Sequence, residues 1–293
     1  MSIAIVTDSS ARFAQNKRSQ HSNVYVLPNT VEIGGHCWLE VTDAVLDNLV
    51  RLMSETRSAP RITAPSIDAY AALYRQLVES HSAIVSIHPS RELSQSFENA
   101  RAAALQVQVA SCPIAVLDSR TICAAQGVIV RLAAELAQRG LPLPDLLDAV
   151  RSALERVYSL YYVETLECLR RSAIMADSRA ILGNLLGVKP LLTLEDGRFK
   201  VIEKVRTRTQ AIDQIIEFLA EFDALEETII SQARPTAAEQ TRAILERLSH
   251  EWKDRSVSLA THCAAVVALL GESAGGVVVL EREYTYNDEF SED

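Results

Sequence analysis

Ser94 is the residue at which this chain is best placed to do chemistry. It closes the polar turn His88-Pro89-Ser90-Arg91-Glu92-Leu93, which follows an apolar run of strand length at 83–87. Proline forbids further ladder pairing there. Beyond Ser94, the residues Phe97, Ala100, Ala104 and Val107 recur at helical spacing. Ser94 is therefore expected at a helix N-cap, where its hydroxyl meets the unpaired N–H groups of the first turn. Such a point attracts a carboxylate or a phosphate. Two further turns carry hydroxyls next to apolar runs, Thr7-Asp8-Ser9-Ser10 and Thr63-Ala64-Pro65-Ser66. In open α/β sheets, ligands gather at the carboxyl ends of the strands. A strand–turn–Ser–helix unit is also what any capped helix of an α/β domain looks like, so it assigns nothing by itself.

The other reactive types offer less. Asp8 and Asp118 each end an apolar run and precede a serine, a pattern that caps a helix or closes an Asx-turn. His88, beside Pro89, reads as a turn histidine bonded to backbone. His21, His36, His81 and His250 have no companions at ligand spacing, so no metal site is read. The five cysteines are scattered and form no C-x-x-C, which fits reduced, buried, small apolar residues. Ser94 as a hydrolase nucleophile would want a Gly-x-Ser-x-Gly elbow, and a triad with His262 or His88 has little support without one. Neither a phosphate-binding loop nor a dinucleotide glycine pattern occurs, so no nucleotide or other cofactor is expected.

The composition fits this picture. The 293 residues are 48% hydrophobic but only 5% aromatic, which suits closely packed helices on a sheet. A net charge of −9 argues against a nucleic-acid or anionic-membrane surface. No stretch offers about 18 uninterrupted apolar residues for a transmembrane segment. The opening Met-Ser-Ile-Ala-Ile-Val-Thr-Asp lacks the basic and apolar regions of a secretory leader, so a cytoplasmic protein is expected.

The elements that must position these residues alternate over the first half. Strands are expected at 3–6, 24–27, 30–33, 83–87 and 114–117, and helices at 42–53, 66–78, 94–107, 121–138 and 144–156. Gly140 caps the fourth helix and Pro144 opens the fifth. This β-turn-α order predicts an α/β domain with a mostly parallel sheet flanked by helices, over residues 1–160. The second half reads differently. Strands at 188–194 and 198–205 flank Asp196-Gly197, a strong hairpin signal. Strands at 158–163, 228–231 and 257–260 alternate with helices at 164–171, 178–186, 209–222 and 236–251. An α+β domain with a mostly antiparallel sheet is expected over 161–293, with the division near 157–165. The acidic tail after Leu280 is read as solvated or frayed.

Taken in order, these turns resemble the DegV family of bacterial fatty-acid-binding proteins, which includes the fatty-acid-binding subunits of fatty acid kinase. The similarity covers nearly the whole chain. It rests on Ile5-Val6-Thr7-Asp8-Ser9-Ser10-Ala11, Thr63-Ala64-Pro65-Ser66, Leu93-Ser94-Gln95-Ser96-Phe97-Glu98-Asn99-Ala100 and Leu117-Asp118-Ser119. It continues through Glu164-Thr165-Leu166-Glu167-Cys168-Leu169, Leu182-Gly183, Lys189-Pro190-Leu191-Leu192 and Asp196-Gly197. Each motif is weak alone, and their order is specific. The departures gather at the head-group end. Ile62 stands for a threonine, Gln95 for a glycine, and His88 for a small residue. Ser172-Ala173-Ile174-Met175 replaces a Gly-Gly-Arg-Ile, and His262 keeps a histidine whose following Gly-Pro-Gly has become Ala264-Ala265-Val266.

The resemblance implies a two-domain carrier, not an enzyme. It would hold a long-chain fatty acid or related anionic lipid in a buried tunnel, without cofactor or metal. Thr63 and Ser94 would hold the carboxylate, which must be hydrogen-bonded when buried. Gln95 either lends an amide donor or fills the space a glycine leaves, the second being preferred. His262 either faces the head group or is a satisfied structural residue. The implied partner is a fatty acid kinase that phosphorylates the bound carboxylate. With Ile174 in the arginine's register, phosphorylation should suffer more than binding, unless Arg170 or Arg171 swings in. The alternatives are a serine-dependent acyl-transferring or hydrolytic enzyme using Ser94, and a degenerate member that binds another amphiphile.

Overall fold

A computed structural model describes residues 2–14, 22–56, 58–164, 168–169, 187–234, 239–252 and 256–283. Strands β1 (Ile3–Asp8), β2 (Val24–Leu27), β6 (Ala83–His88) and β7 (Ile114–Asp118) form a parallel sheet in the order β2-β1-β6-β7. Both faces of β1 and β6 are buried, which is why they read as unbroken apolar runs. Successive side chains leave on opposite faces. Ala4, Val6 and Ile84 pack against helices α2 (Ile67–Leu77) and α3 (Ser96–Gln106). Ile3, Ile5, Val85 and Ile87 pack against α4 (Ala124–Gln138) and α5 (Leu143–Glu155). This is the α/β domain with a helix-flanked parallel sheet.

The second sheet follows the order β10-β9-β8-β13-β11-β12, antiparallel at every pairing except β11 with β12. Its strands are β8 (Val157–Tyr162), β9 (Lys189–Glu195), β10 (Arg198–Val205), β11 (Leu225–Gln232), β12 (Val257–Thr261) and β13 (Gly275–Glu281). Helices α6 (Arg208–Ala220) and α7 (Glu239–Glu251) cover one face. Ile229, Ala260, Val278 and Leu280 on the other face join the apolar cluster of α4, so α4 lies between the two sheets. This half is the expected α+β domain with a mostly antiparallel sheet.

A third sheet, β4-β3-β5, is antiparallel and joins β3 (Thr30–Ile33), β4 (His36–Leu39) and β5 (Arg61–Thr63). It packs with α1 (Ala44–Thr56) against α8 (Ala264–Leu270) from the other half of the chain. Four elements here were not expected from the sequence: β4, β5, α8 and β13. Among the expected ones, the helices at 164–171 and 178–186 fall almost wholly outside the described residues. So do Arg170, Arg171, Ile174 and the chain beyond Glu283. Against the expectation that all five cysteines are buried, Cys37 is exposed on the edge strand β4 and Cys168 is only half-buried. All five are free thiols.

Candidate functional site

Helix α3 begins at Ser96, so Gln95 and not Ser94 holds the N-cap position, and its exposed side chain makes no capping bond. The turn starts early because the Leu93 and Ser94 N–H groups both donate to the Ser90 carbonyl, at 2.9 and 3.0 Å. Ser94 nevertheless satisfies a helix donor: its Oγ accepts the Ser96 N–H at 3.2 Å. That bond occupies a lone pair and leaves the hydroxyl proton to be donated. Ser94 is half-buried, and its neighbour Leu93 packs on a cluster that holds Tyr161, Phe199, Cys263 and Val266.

Thr63 ends β5 and is exposed. Its turn is tied to α3, since the Asn99 amide donates to the Pro65 carbonyl at 2.8 Å. Ser66 then caps α2 by accepting the Ala69 N–H at 3.2 Å. Ile62, beside Thr63, packs with Ala264 and Val267 of α8, which follows His262 directly. The fold therefore brings the Thr63 turn to the start of α3 and against α8. Among the described residues, no hydrogen bond joins the side chains of Thr63, Ser94, Gln95 and His262 to one another.

His262 is fully buried at the end of β12. Its Nε2 meets Ser231 Oγ at 3.0 Å, while Nδ1 has no partner among the described residues. Burial pushes its pKa down to about 3, with the hydrogen bond at Ser231 opposing and nearby Arg12 adding to the shift, so the ring is neutral. The first domain holds its backbone firmly. Arg12 Nε donates to the His262 carbonyl at 3.1 Å, and the Ala264 N–H donates to Glu40 Oε1 at 2.7 Å. Glu40 also accepts from Ser9 Oγ at 2.8 Å and from the Asn29 amide at 3.3 Å. Burial pushes the Glu40 carboxyl up, against the pull of Arg12 and these donors. A pocket of about 170 Å³ lies alongside, lined by Ser9, Arg12, Phe13, Glu40, Val41 and Thr261. Thr63, Ser94, Gln95 and His262 are not among its lining residues.

The largest departure from expectation lies under α2 and α3. Among the described residues, the His88 ring does not bond to backbone. Its Nε2 meets Ser86 Oγ at 2.7 Å and its Nδ1 meets Asp8 Oδ2 at 3.1 Å, with all three residues fully buried. Tyr74 donates to Ser86 Oγ at 2.7 Å, Ser96 Oγ donates to Asp8 Oδ2 at 2.7 Å, and the Tyr70 hydroxyl meets Ser96 Oγ at 2.7 Å. Burial alone would raise the Asp8 carboxyl, but the hydrogen bonds it accepts from His88, Ser96 and Ser10 hold it below its usual value. Asp8 also closes the expected Asx-turn, accepting the Ser10 N–H at 2.9 Å, and Asp118 does the same for Arg120. The sequence signal for the network was two strand ends, Asp8 and His88, whose adjacency depends on strand order. Arg12 and Glu40 had no such signal.

A parallel sheet with helices on both faces, joined to an antiparallel α+β half and bearing Ser and Thr turns between them, defines a class of two-domain α/β proteins. The DegV family model, described as an uncharacterised protein family, matches residues 2–282, and this chain belongs to that family. A DegV domain-containing protein of Streptomyces coelicolor is 32% identical over 286 residues, covering 96% of this chain and 99% of the relative. Protein DegV of Bacillus subtilis is 30% identical over 280 residues, covering 94% and 98%. Its crystal structure, described as that of a fatty acid binding protein, has a TM-score of 0.83 at 27% identity, covering 96% of this chain and all of that one. A fatty acid binding DegV family protein of Streptococcus agalactiae has a TM-score of 0.87 at 24% identity, covering 97% and 100%. The fold is also shared, at a TM-score of 0.82 and 15% identity, by the Streptococcus pneumoniae Fatty Acid Kinase (Fak) B3 protein loaded with linoleic acid, covering 96% and 100%.

Proposed function

We propose that this chain is a cytoplasmic carrier that binds a long-chain fatty acid, with its carboxylate at Ser94 and Thr63. The observation that carries the reading is the state of the Ser94 hydroxyl: half-buried at the start of α3, its oxygen taken by the Ser96 N–H, its proton available to an acceptor. Family membership and the fatty-acid-binding relatives named above support it. Gln95, exposed at the N-cap position, lies beside the head group and fills space there. His262, held neutral, acts as a hydrogen-bonding group and not as a cation. Residues 1–160 form the domain that bears the head-group site, and residues 161–293 close over the acyl chain. Each buried methylene contributes about 0.8 kcal/mol, so the chain supplies most of the affinity and neutral hydroxyls suffice at the head. A separate kinase would act on the presented carboxylate.

Neither histidine proposed as a partner for a nucleophilic Ser94 is bonded to it, because His88 Nε2 meets Ser86 and His262 Nε2 meets Ser231. The carrier reading therefore expects saturable binding of labelled oleate at one per chain, and no labelling of Ser94 by a fluorophosphonate. Absence of saturable oleate binding, or stoichiometric covalent modification at Ser94, would overturn it.

A further inference from the structure

With the His88 ring neutral, the six side chains buried beneath α2 and α3 take one arrangement of protons. Tyr74 donates to Ser86 Oγ, so the Ser86 proton goes to His88 Nε2, 2.7 Å away. His88 then carries its own proton on Nδ1 and donates it to Asp8 Oδ2 at 3.1 Å, with the Tyr70 hydroxyl oxygen 3.3 Å from the same nitrogen. From the other side, Ser96 Oγ gives its proton to the same Asp8 oxygen, so Tyr70 donates to Ser96 Oγ. Two chains of donors, Tyr74–Ser86–His88 and Tyr70–Ser96, thus converge on a single carboxylate.

Burying a carboxylate and an imidazole is costly, and apolar residues of similar volume often stabilise a core as well. What the network fixes is therefore informative. It leads outward at Ser96, the first residue of α3, whose Oγ is held by both Asp8 and Tyr70 while its N–H donates to Ser94 Oγ at 3.2 Å. The Ser94 hydroxyl is thus one hydrogen bond away from the residue that Asp8 and Tyr70 hold.

We infer that Asp8 and His88 are positioning residues for carboxylate binding, acting through Ser96 to hold the Ser94 hydroxyl in its donating orientation. The inference rests on the reading of Ser94 as a carboxylate ligand. Neither residue touches the lipid. Loss of the Asp8 acceptor frees the start of α3, and what suffers is recognition of the anionic head, not uptake of the acyl chain.

The test compares oleate with methyl oleate on the full-length protein, as wild type, Ser94→Ala, Asp8→Asn, Ser96→Ala and the Ser94→Ala/Asp8→Asn double variant. Asp8→Asn and Ser96→Ala should each weaken oleate about tenfold and methyl oleate less than about twofold, the range for one hydrogen bond to a charged group. Asp8→Asn should add nothing further once Ser94 is alanine, since coupled residues are not additive. Equal losses for acid and ester, or full additivity in the double variant, would overturn the inference. Should Asp8→Asn not fold, Ser96→Ala leaves the Asp8–His88 pair intact and decides the matter alone, through the same contrast of acid with ester. Oleate binding unchanged by Ser94→Ala would instead remove the underlying reading, which separates the two failures.

Discussion

At the level of single residues, two groups have properties that solution measurements can reach. The Ser94 hydroxyl has its acceptor side engaged by the Ser96 N–H, so its contribution to a ligand is one donated hydrogen bond. Ser94→Ala is expected to weaken fatty acid binding by about 1.5–3 kcal/mol and methyl ester binding much less, as titration of both ligands would report. The second group is His262, whose pKa in the folded protein is about 3. The unfolded chain takes up a proton near the ordinary histidine value of about 6.5, and the folded chain does not. Stability is therefore fully present above pH 6.5 and is lost as pH falls from there towards 3, by about 3–5 kcal/mol. Denaturant titrations at pH 7 and pH 5 should differ in that direction, and His262→Gln should flatten the dependence. An unchanged slope in the variant would mean that other groups govern the acid limb. The serine and the histidine were both identifiable from the sequence. The buried partners of His88 were not, because pairing Asp8 with His88 requires knowing that β1 and β6 are neighbours.

Among the elements, the hairpin of β9 and β10 has a consequence beyond its own half. Its tip, Asp196-Gly197, has positive φ at both positions, 49° and 77°, as the two-residue turn demands. That tip reaches the loop bearing Ser94: Ser90 Oγ donates to the Gly197 carbonyl at 2.8 Å, and Arg198 pairs with Glu92 at 2.6 Å. A Cβ on Gly197 would lie 2.2 Å from Ser90 Oγ, whereas Gly140, with φ of +82°, has nothing within 4 Å. Both Gly→Ala changes meet the backbone penalty of about 1 kcal/mol, and only Gly197→Ala should also undock the hairpin. Chemical denaturation should find Gly197→Ala the more destabilising by at least about 1 kcal/mol, with weaker ligand retention. Equal effects would mean that the contact with Ser90 contributes nothing. The hairpin was legible because Asp-Gly between two apolar runs has one common solution. Strand β5 was not, since Arg61-Ile62-Thr63 is too short to establish a period. Helix α8 was missed for another reason: Ala264 to Leu270 is apolar throughout, so burial on all sides erased the periodicity. Strand β13 opens with two glycines, which read as a turn, yet it lies in the middle of its sheet.

For the molecule as a whole, the alternation of strands and helices was enough to give a parallel α/β half and an antiparallel α+β half. Strand order was not contained in that alternation. Nor was the place of α4 between the two sheets, because both of its packing partners are apolar and non-local. The polar contacts between the halves depend on the same assembly: Arg12 and Glu40 hold the segment from His262 to Ala264 only once both sheets are in place. On the carrier reading, that assembly exists to enclose an acyl chain. Denaturing extraction of the purified protein, followed by mass spectrometry of the released lipid, tests that claim most directly. A non-covalently held long-chain fatty acid in near-stoichiometric amount is the predicted result. Repeated preparations that release none, and that take up no fatty acid when it is offered, would contradict it.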